Sequence, residues 1–585
     1  MSLDNAAHPP MPTRLPSCSS CSDDASASSH KAHTSDCASL DSRDEIQKAP
    51  KHSVARLLFV HIGAAMTLFL ATTDSTIVST SLPTIVSELQ ASQSQYTWVG
   101  VAYMLTQTAG QPLYGRLSDL VGRKNVLYVS MMIFALGSLL CGAAKNIMSL
   151  IISRGLAGLG GGGIVSSVWV ITSEIVEPQN RAKWSQALSI TWSCSAVAGP
   201  ILGGLFSTGF STTINWRWAF YMNLPVCLVA FLLLSISLRD VTLGNTKDAS
   251  WKSFTEKFDF IGLLLFMLGT SCLVIGFSFA MSDGWTSPST LSLVTIGPVI
   301  LACAGFYEVH TTREALFPPA SFKNLTVVII LAVTFLHNFA FTSGTFYLAL
   351  YFQAVDGMTP LQAGVQMLPY SLGSSLASMP AAWFIGFCQS RKNDTSGQKW
   401  TIVSGLLIST IGFSLLITLK DASSHVTQFC YPLIAGIGLG FLFHAPYQVF
   451  VKALHPSELA TGTSAFFLVR FTGATIGLAV AGIVFDKQLS HALPIGYQIQ
   501  GSSSINWRLL SLIEPLSLRN EVLSAVALAI KSIWIVSAPL LGVAVVISLF
   551  MKCFSVETTN HHDTIQEKTL HQQSCISSPQ PPNEV

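Results

Sequence analysis

The chemistry this chain could perform starts with an acid and a base in surroundings that suit neither. Asp74 lies in FLATTDSTIVSTSLP (residues 69–83) and Arg154 in LIISRGLAGLGGGG (residues 150–163), both inside long apolar stretches. A charge there is expensive unless an opposite charge is close, and ionisable groups kept in apolar spans mark proton or ion routes. An aspartate that either a proton or an arginine can neutralise is a proton-exchanging group. Other reactive patterns are missing from the sequence: it shows no nucleophile elbow, phosphate loop, zinc-ligand array or nucleotide-binding cassette. The expectation is therefore no enzyme, no metal, no cofactor, and an ion gradient as energy source.

The elements around these residues must be membrane helices. Half of the 585 residues are apolar (50%) and 11% are charged, against roughly a quarter charged in soluble domains. A net charge of +2 offers no basic face for phosphates, which excludes a nucleic-acid partner. The twelve cysteines are scattered without a disulfide framework. Cys18-Ser-Ser-Cys21 has no second pair to complete a metal site, and Cys553, just past the last apolar run, reads as an ordinary interfacial cysteine.

Residues 1–55 are rich in Ser, Ala, Asp and His and read as a disordered cytosolic head without a removable signal peptide, with a second disordered tail at 554–585. Between them fall fourteen apolar runs of about 20 residues or more, enough to cross a hydrocarbon core as helices. They lie near 57–83, 97–115, 124–143, 147–173, 184–208, 217–238, 258–281, 290–308, 325–352, 361–387, 400–419, 428–452, 461–483 and 531–552. The long connection 484–530 contains LLSLIEPLSL, a candidate for the membrane surface. Arg123, Lys124, Arg181, Arg239, Lys323, Arg391 and Lys392 crowd one set of short loops, whereas the other set carries Lys145, Arg217 and Lys420. The positive-inside rule then places both termini in the cytosol. The sequons at Asn324 and Asn393 fall on that inner side, where they would stay unmodified.

Between the second and third runs stands GRLSDLVGRKNVL (115–127), in which Gly115 and Gly122 permit a tight turn while Asp119, Arg123 and Lys124 form a charged cytosolic latch. This spacing resembles the G-x-L-x-D-x-x-G-R-K signature of the major facilitator superfamily. LIISRGLAGLGGGG resembles the family's fourth-helix arginine motif, with Ala157 where Gln is frequent, and AVAGPILGGLF (196–206) its antiporter motif, carried by Gly199, Pro200, Gly203 and Gly204. The Asp74 stretch is similar to the first-helix motif of the fourteen-helix drug:proton antiporter branch. NWRWAFYMNLP (215–225), FDFIG (258–262) and YLALYFQAVDGMTPLQAGVQMLP (347–369) resemble fungal members that export drugs, toxins and secondary metabolites. The second half's copy of the latch, GFCQSRKN (386–393), keeps Gly386, Arg391 and Lys392 without an acidic partner.

The resemblance implies an all-α major facilitator fold: a six-helix bundle at 56–240, a linker with two additional transmembrane helices at 241–308, and a second bundle at 309–553. The substrate site would lie near the midplane between bundles, alternately open to either side. At 1.5 Å per residue, Asp74 lies about 13 Å inside the outer end of its helix and Arg154 about 12 Å inside the outer end of its own. The two share a depth, so Asp74 is expected to take a proton from outside and release it inside while Arg154 competes with that proton. The competing reading is a fixed structural ion pair.

Polar side chains within the runs are candidates to line the cavity: Tyr103, Gln107, Gln111, Asn338, Tyr347, Gln353, Gln366, Tyr370, His444, Tyr447, Gln448 and Arg470. Each could instead join two helices, the commoner task of an amide in a bundle. With many Phe and Trp nearby they suit a small organic amphipathic substrate rather than an ion. His61 and His337 read as interfacial or satisfied by neighbours. Asp119 is expected to cap the helix beginning near Thr461 when the inner side is closed. The expected function is proton-coupled export across a plasma membrane, with a vacuolar membrane as the other location and a monomer as the working unit. A siderophore transporter and a non-transporting ligand sensor on the same scaffold are the alternatives.

Overall fold

The structure is a computed structural model; it describes residues 54–553 apart from 92, 177–180, 209–214, 240, 242, 244–257, 283, 312, 314–323, 393, 420–422, 455–458 and 494–514. The expected head and tail lie outside the described residues, except that Val54 and Ala55 already belong to the first helix. Asn393, the Cys18–Cys21 pair and most of LLSLIEPLSL lie outside them too.

Among the described residues the regular elements are helices: α1 (Val54–Glu88), α2 (Gln93–Val121), α3 (Arg123–Gly142), α4 (Ile147–Ile175), α5 (Arg181–Ser207), α6 (Trp218–Tyr221), α7 (Asn223–Ser237), α8 (Phe260–Ser282), α9 (Pro288–His310), α10 (Leu325–Ala354), α11 (Pro360–Gln366), α12 (Leu368–Lys392), α13 (Ser396–Leu416), α14 (His425–Phe441), α15 (Ala445–Lys452), α16 (Leu459–Ala492) and α17 (Leu516–Leu549). Three pairs are single rods interrupted by proline. Pro225, Pro369 and Pro446 each lack the N–H that would bond the carbonyl four residues earlier, so α6 gives way to α7, α11 to α12 and α14 to α15. The last rod begins at Leu516 rather than near 531, because LSLRNEVLSAV continues its helical pattern without a breaker.

Twelve segments among the described residues are long and apolar enough to cross a bilayer, where the sequence led us to expect fourteen. The other two expected spans are α2 and α12, at 29 and 25 residues long enough but less apolar. The side chains that lower their hydropathy include Gln107, Thr108 and Gln111 in α2 and Ser371, Ser374 and Ser378 in α12, all buried. A helix surrounded by other helices can be polar where lipid never touches it.

Packing follows small residues. Gly158 of α4 lies against the Tyr103 carbonyl of α2 and Gly160 against the backbone at Phe134 of α3, so α4 is clasped between the two. α1 packs on α5 and α7; α10, α13 and α16 pack on α17, and α14 on α12 and α13. α8 and α9 pair with each other, and α8 rests on α2 and α16. The first half meets the second through α2 on α16, α5 on α11 and α12, and α1 on α10. Below, the inner end is the one carrying the Asp119–Lys124 loop and the outer end its opposite.

Candidate functional site

Arg154 donates from Nη1 to Asp74 Oδ2 in an ion pair whose two residues are each 1% exposed. Its Nη2 reaches the Asp74 carbonyl at 3.3 Å and its Nε the Val99 carbonyl at 3.3 Å. The guanidinium carbon stands 4.4 Å from the centre of the Tyr103 ring, a cation–π contact that further compensates for burial. The other carboxylate oxygen, Oδ1, accepts from Asn223 Nδ2 at 3.0 Å, and the same nitrogen reaches Ser138 Oγ at 3.1 Å. Asn223 was not singled out from sequence, although it stands in NWRWAFYMNLP.

The pair lies behind the wall of the central cavity, not in it. That cavity, about 50 Å³ in volume, lies between the two halves and is lined by Thr72, Ser75 and Thr76 of α1, by α2 and α5, and by α10 and α16. At 100° per residue, Asp74 faces α2, α3, α4 and α7 while its neighbour Ser75 faces the cavity. One turn of α1 therefore joins the ion pair to the cavity wall.

Of the expected lining residues, Gln107 and Asn338 line this cavity. Arg470 stands at its edge: Nε donates to Asn338 Oδ1 at 3.2 Å, and the guanidinium lies 4.1 Å from the ring centre of Trp192, a lining residue that sequence reasoning missed. The others are held elsewhere. Tyr103 donates to the Ala71 carbonyl at 2.8 Å, Gln111 to the Gly162 carbonyl at 3.2 Å and Tyr370 to the Phe341 carbonyl at 3.2 Å, each joining two helices. Tyr347 packs against Phe485, and His444 is hydrogen-bonded to Gln448 at 2.6 Å. Tyr447 shares a 3.2 Å hydrogen bond with Thr463, Gln366 ends α11, and Gln353 reaches the Thr80 carbonyl at 3.4 Å near the outer end. His61 bonds the Leu57 carbonyl at 2.7 Å, and His337 packs edge-on to Phe443.

The two halves touch on both sides of the cavity. Toward the inner end, Trp169 of α4 meets Tyr447 with ring centres 4.7 Å apart, and Ser166 bonds Ser464 at 3.0 Å. Toward the outer end, Gly204 of α5 lies against the Pro360 carbonyl of α11, while Gly364 of α11 lies against the Pro200 carbonyl of α5. A side chain at either glycine would strike backbone. Gly199 and Gly203 face α1, and Thr80 donates to the Pro200 carbonyl at 2.8 Å. At about 50 Å³ the cavity has room for a water or two.

At the inner end, Gly122 adopts φ +99°, the left-handed value glycine tolerates, and starts α3. Arg123 pairs with Asp119 and donates to Glu174 Oε1 at 2.8 Å and to Ser118 Oγ at 2.7 Å; Lys124 bonds the Leu238 carbonyl. Gly115 is buried one turn before Asp119. Glu174, at the end of α4, was not anticipated. The Thr461 side chain, the expected docking point of Asp119, lies outside the described residues.

A family model described as Major Facilitator Superfamily matches residues 64–478. The chain belongs to the major facilitator superfamily. Being a facilitator, it is a multi-pass membrane transporter of small organic substrates and not an enzyme. It is 32% identical over 500 residues to an uncharacterized MFS-type transporter of Schizosaccharomyces pombe, covering 85% of this chain and 82% of that protein. It is 31% identical over 483 residues to the efflux pump dotC of Dothistroma septosporum, covering 81% and 80%. Among solved structures, a bacterial homolog to the human lysosomal transporter Spinster, inward-facing and unoccupied, aligns at TM-score 0.58 and 15% identity over 86% of this chain and 99% of that one. That likeness concerns the facilitator fold.

Proposed function

We propose that this facilitator exports an amphipathic drug, toxin or secondary metabolite by proton antiport, alternating between outward- and inward-open states. The observation that carries the reading is the Asp74–Arg154 pair one turn behind the cavity-lining residues Thr72, Ser75 and Thr76. Such a buried pair holds only while the carboxylate is charged. A proton reaching Asp74 neutralises it and frees Arg154; substrate pressing on Thr72, Ser75 and Thr76 shifts α1 and restores the pair, expelling the proton. Proton and substrate thus exclude each other, which is the requirement of an antiporter. The relatives named as efflux pumps in Dothistroma and Gibberella support the outward direction.

The cavity chemistry supports the substrate class. Trp192, Phe341, Phe346 and Phe471 supply apolar faces, and Gln107, Asn338 and the adjoining Arg470 supply polar contacts. The Arg123 network with Asp119 and Glu174 serves as the cytosolic latch, the α5–α11 glycine contact as the outer closure, and the plasma membrane is the location that fits export. Purified protein in vesicles with an imposed pH gradient tests the reading: wild type accumulates fluorescent amphipaths against their gradient, and Asp74→Asn does not. Gradient-independent movement, or full gradient-driven movement by Asp74→Asn, would refute it.

A further inference from the structure

Beyond the closed α5–α11 contact, the outer end holds a cavity of about 400 Å³ that the transport cycle above does not use. Its walls come from both halves: Pro83 of α1 and Thr208 after α5, the 353–360 turn between α10 and α11, and Arg519 and Leu523 of α17. This is the size of a site for a small organic molecule.

Two ionisable groups face it, Arg519 and Asp356. Among the described residues no carboxylate lies within ion-pair distance of Arg519, and its buried Nε–H has no hydrogen-bond partner. A buried donor left unmet is costly, and a guanidinium on a concave wall is suited to the planar oxygens of an anion. Across the space, Asp356 accepts from Gln428 Nε2 through both oxygens, at 3.2 and 3.1 Å.

We infer that this vestibule is a second ligand site, one that takes an amphipathic organic anion, its sulfonate or carboxylate on Arg519 and its apolar body against Pro83, Met358, Pro360 and Leu523.

The site carries its own pH dependence. Burial pushes the Asp356 carboxyl up to about 6, against the opposing pull of Gln428 and His425. Among the described residues the charged and polar groups facing it are His425 and Gln428 from α14 and, across the cavity, Arg519 from α17. The Gln428 Oε1 is buried without a partner, and after rotation of the amide only a protonated carboxyl could donate to it. Below about pH 6 Asp356 is mostly neutral and Arg519 dominates; above it the carboxylate repels an anion. Anions therefore bind best from an acidic exterior.

The test is equilibrium binding of tritiated naphthalene-2-sulfonate and its uncharged sulfonamide to the full-length protein in nanodiscs at pH 5 and pH 7. Sulfonate should bind at pH 5 and about tenfold more weakly at pH 7, a change of roughly 1.4 kcal/mol, and the sulfonamide should not bind at either. Arg519→Gln should weaken sulfonate at least tenfold. Asp356→Asn should hold the pH 5 affinity at pH 7, and this gain cannot come from misfolding. Thr208→Trp, which fills the vestibule, should abolish binding. Equal binding of the two probes, binding untouched by Thr208→Trp, or an unchanged pH dependence in Asp356→Asn would each overturn the inference.

Discussion

Asn223 and Asp74, 149 residues apart in the chain, are joined by a 3.0 Å hydrogen bond that holds the carboxylate oxygen Arg154 leaves free. α7 thereby takes part in the charge site through one amide. Asn223→Leu leaves Oδ1 and Ser138 Oγ without this partner, so it should destabilise the protein by about 1–3 kcal/mol, the cost of an unmet buried polar group. Thermal unfolding in nanodiscs measures this, with Ser138→Ala as the milder comparison.

The ion pair itself should be strongly non-additive. Arg154→Gln leaves a buried unpaired carboxylate and should cost about 3–5 kcal/mol. The double variant Asp74→Asn with Arg154→Gln removes both charges and should recover most of that loss. Losses that simply add in a double-mutant cycle would mean that the two side chains do not interact.

The outer closure makes a reciprocal prediction. Because Gly204 meets the Pro360 carbonyl and Gly364 the Pro200 carbonyl, Gly204→Ala and Gly364→Ala wedge the same seam from opposite sides. Each should favour the outward-open state and raise proton leak through vesicles, and the pair together should exceed either alone by less than the sum. Gly305, whose added Cβ would meet nothing within 4 Å, is the control position and should be silent on substitution to alanine.

Arg470 is held through its planar guanidinium. The guanidinium sits 4.1 Å from the Trp192 ring centre and bonds Asn338 at 3.2 Å, whereas an ammonium can match neither the stack nor the angle. Arg470→Lys should therefore raise KM for transport several-fold with a smaller effect on kcat, and Trp192→Leu should do the same.

Asp356 predicts a direction of stability with pH. Its carboxyl is raised by burial to about 6 from an ordinary 3.8, so the folded state binds the proton more tightly than the unfolded state. The contribution is fully present below about pH 4 and is lost as pH rises through about 6. Over that window the Tm of wild type should fall relative to that of Asp356→Asn, measured by thermal scans at fixed salt.

The helices were legible because length and apolarity suffice to mark a span, and the shared depth of Asp74 and Arg154 followed from counting residues at fixed rise. Which way Asp74 points was not. α1 buries residues on all its faces, from Thr72, Thr73 and Asp74 to Thr76 and Ile77, so no amphipathic stripe marks a cavity side. Thr72, Ser75 and Thr76 could not be told apart as lining residues for the same reason, while Tyr103, Gln111 and Tyr370 resembled cavity residues yet join helices. Glu174 and Asn223 became partners through tertiary packing, which local pattern does not encode. The α5–α11 contact unites glycines in distant parts of the chain, and neither motif names the other.

Under the proposed antiport, substrate and proton compete through Asp74, and proton release measures that competition. Purified protein in weakly buffered nanodiscs with a pH-sensitive dye should release protons when a transported amphipath is added. Asp74→Asn should release none while still binding the compound. Equal release from the two proteins, or binding to wild type with no release, would contradict the account.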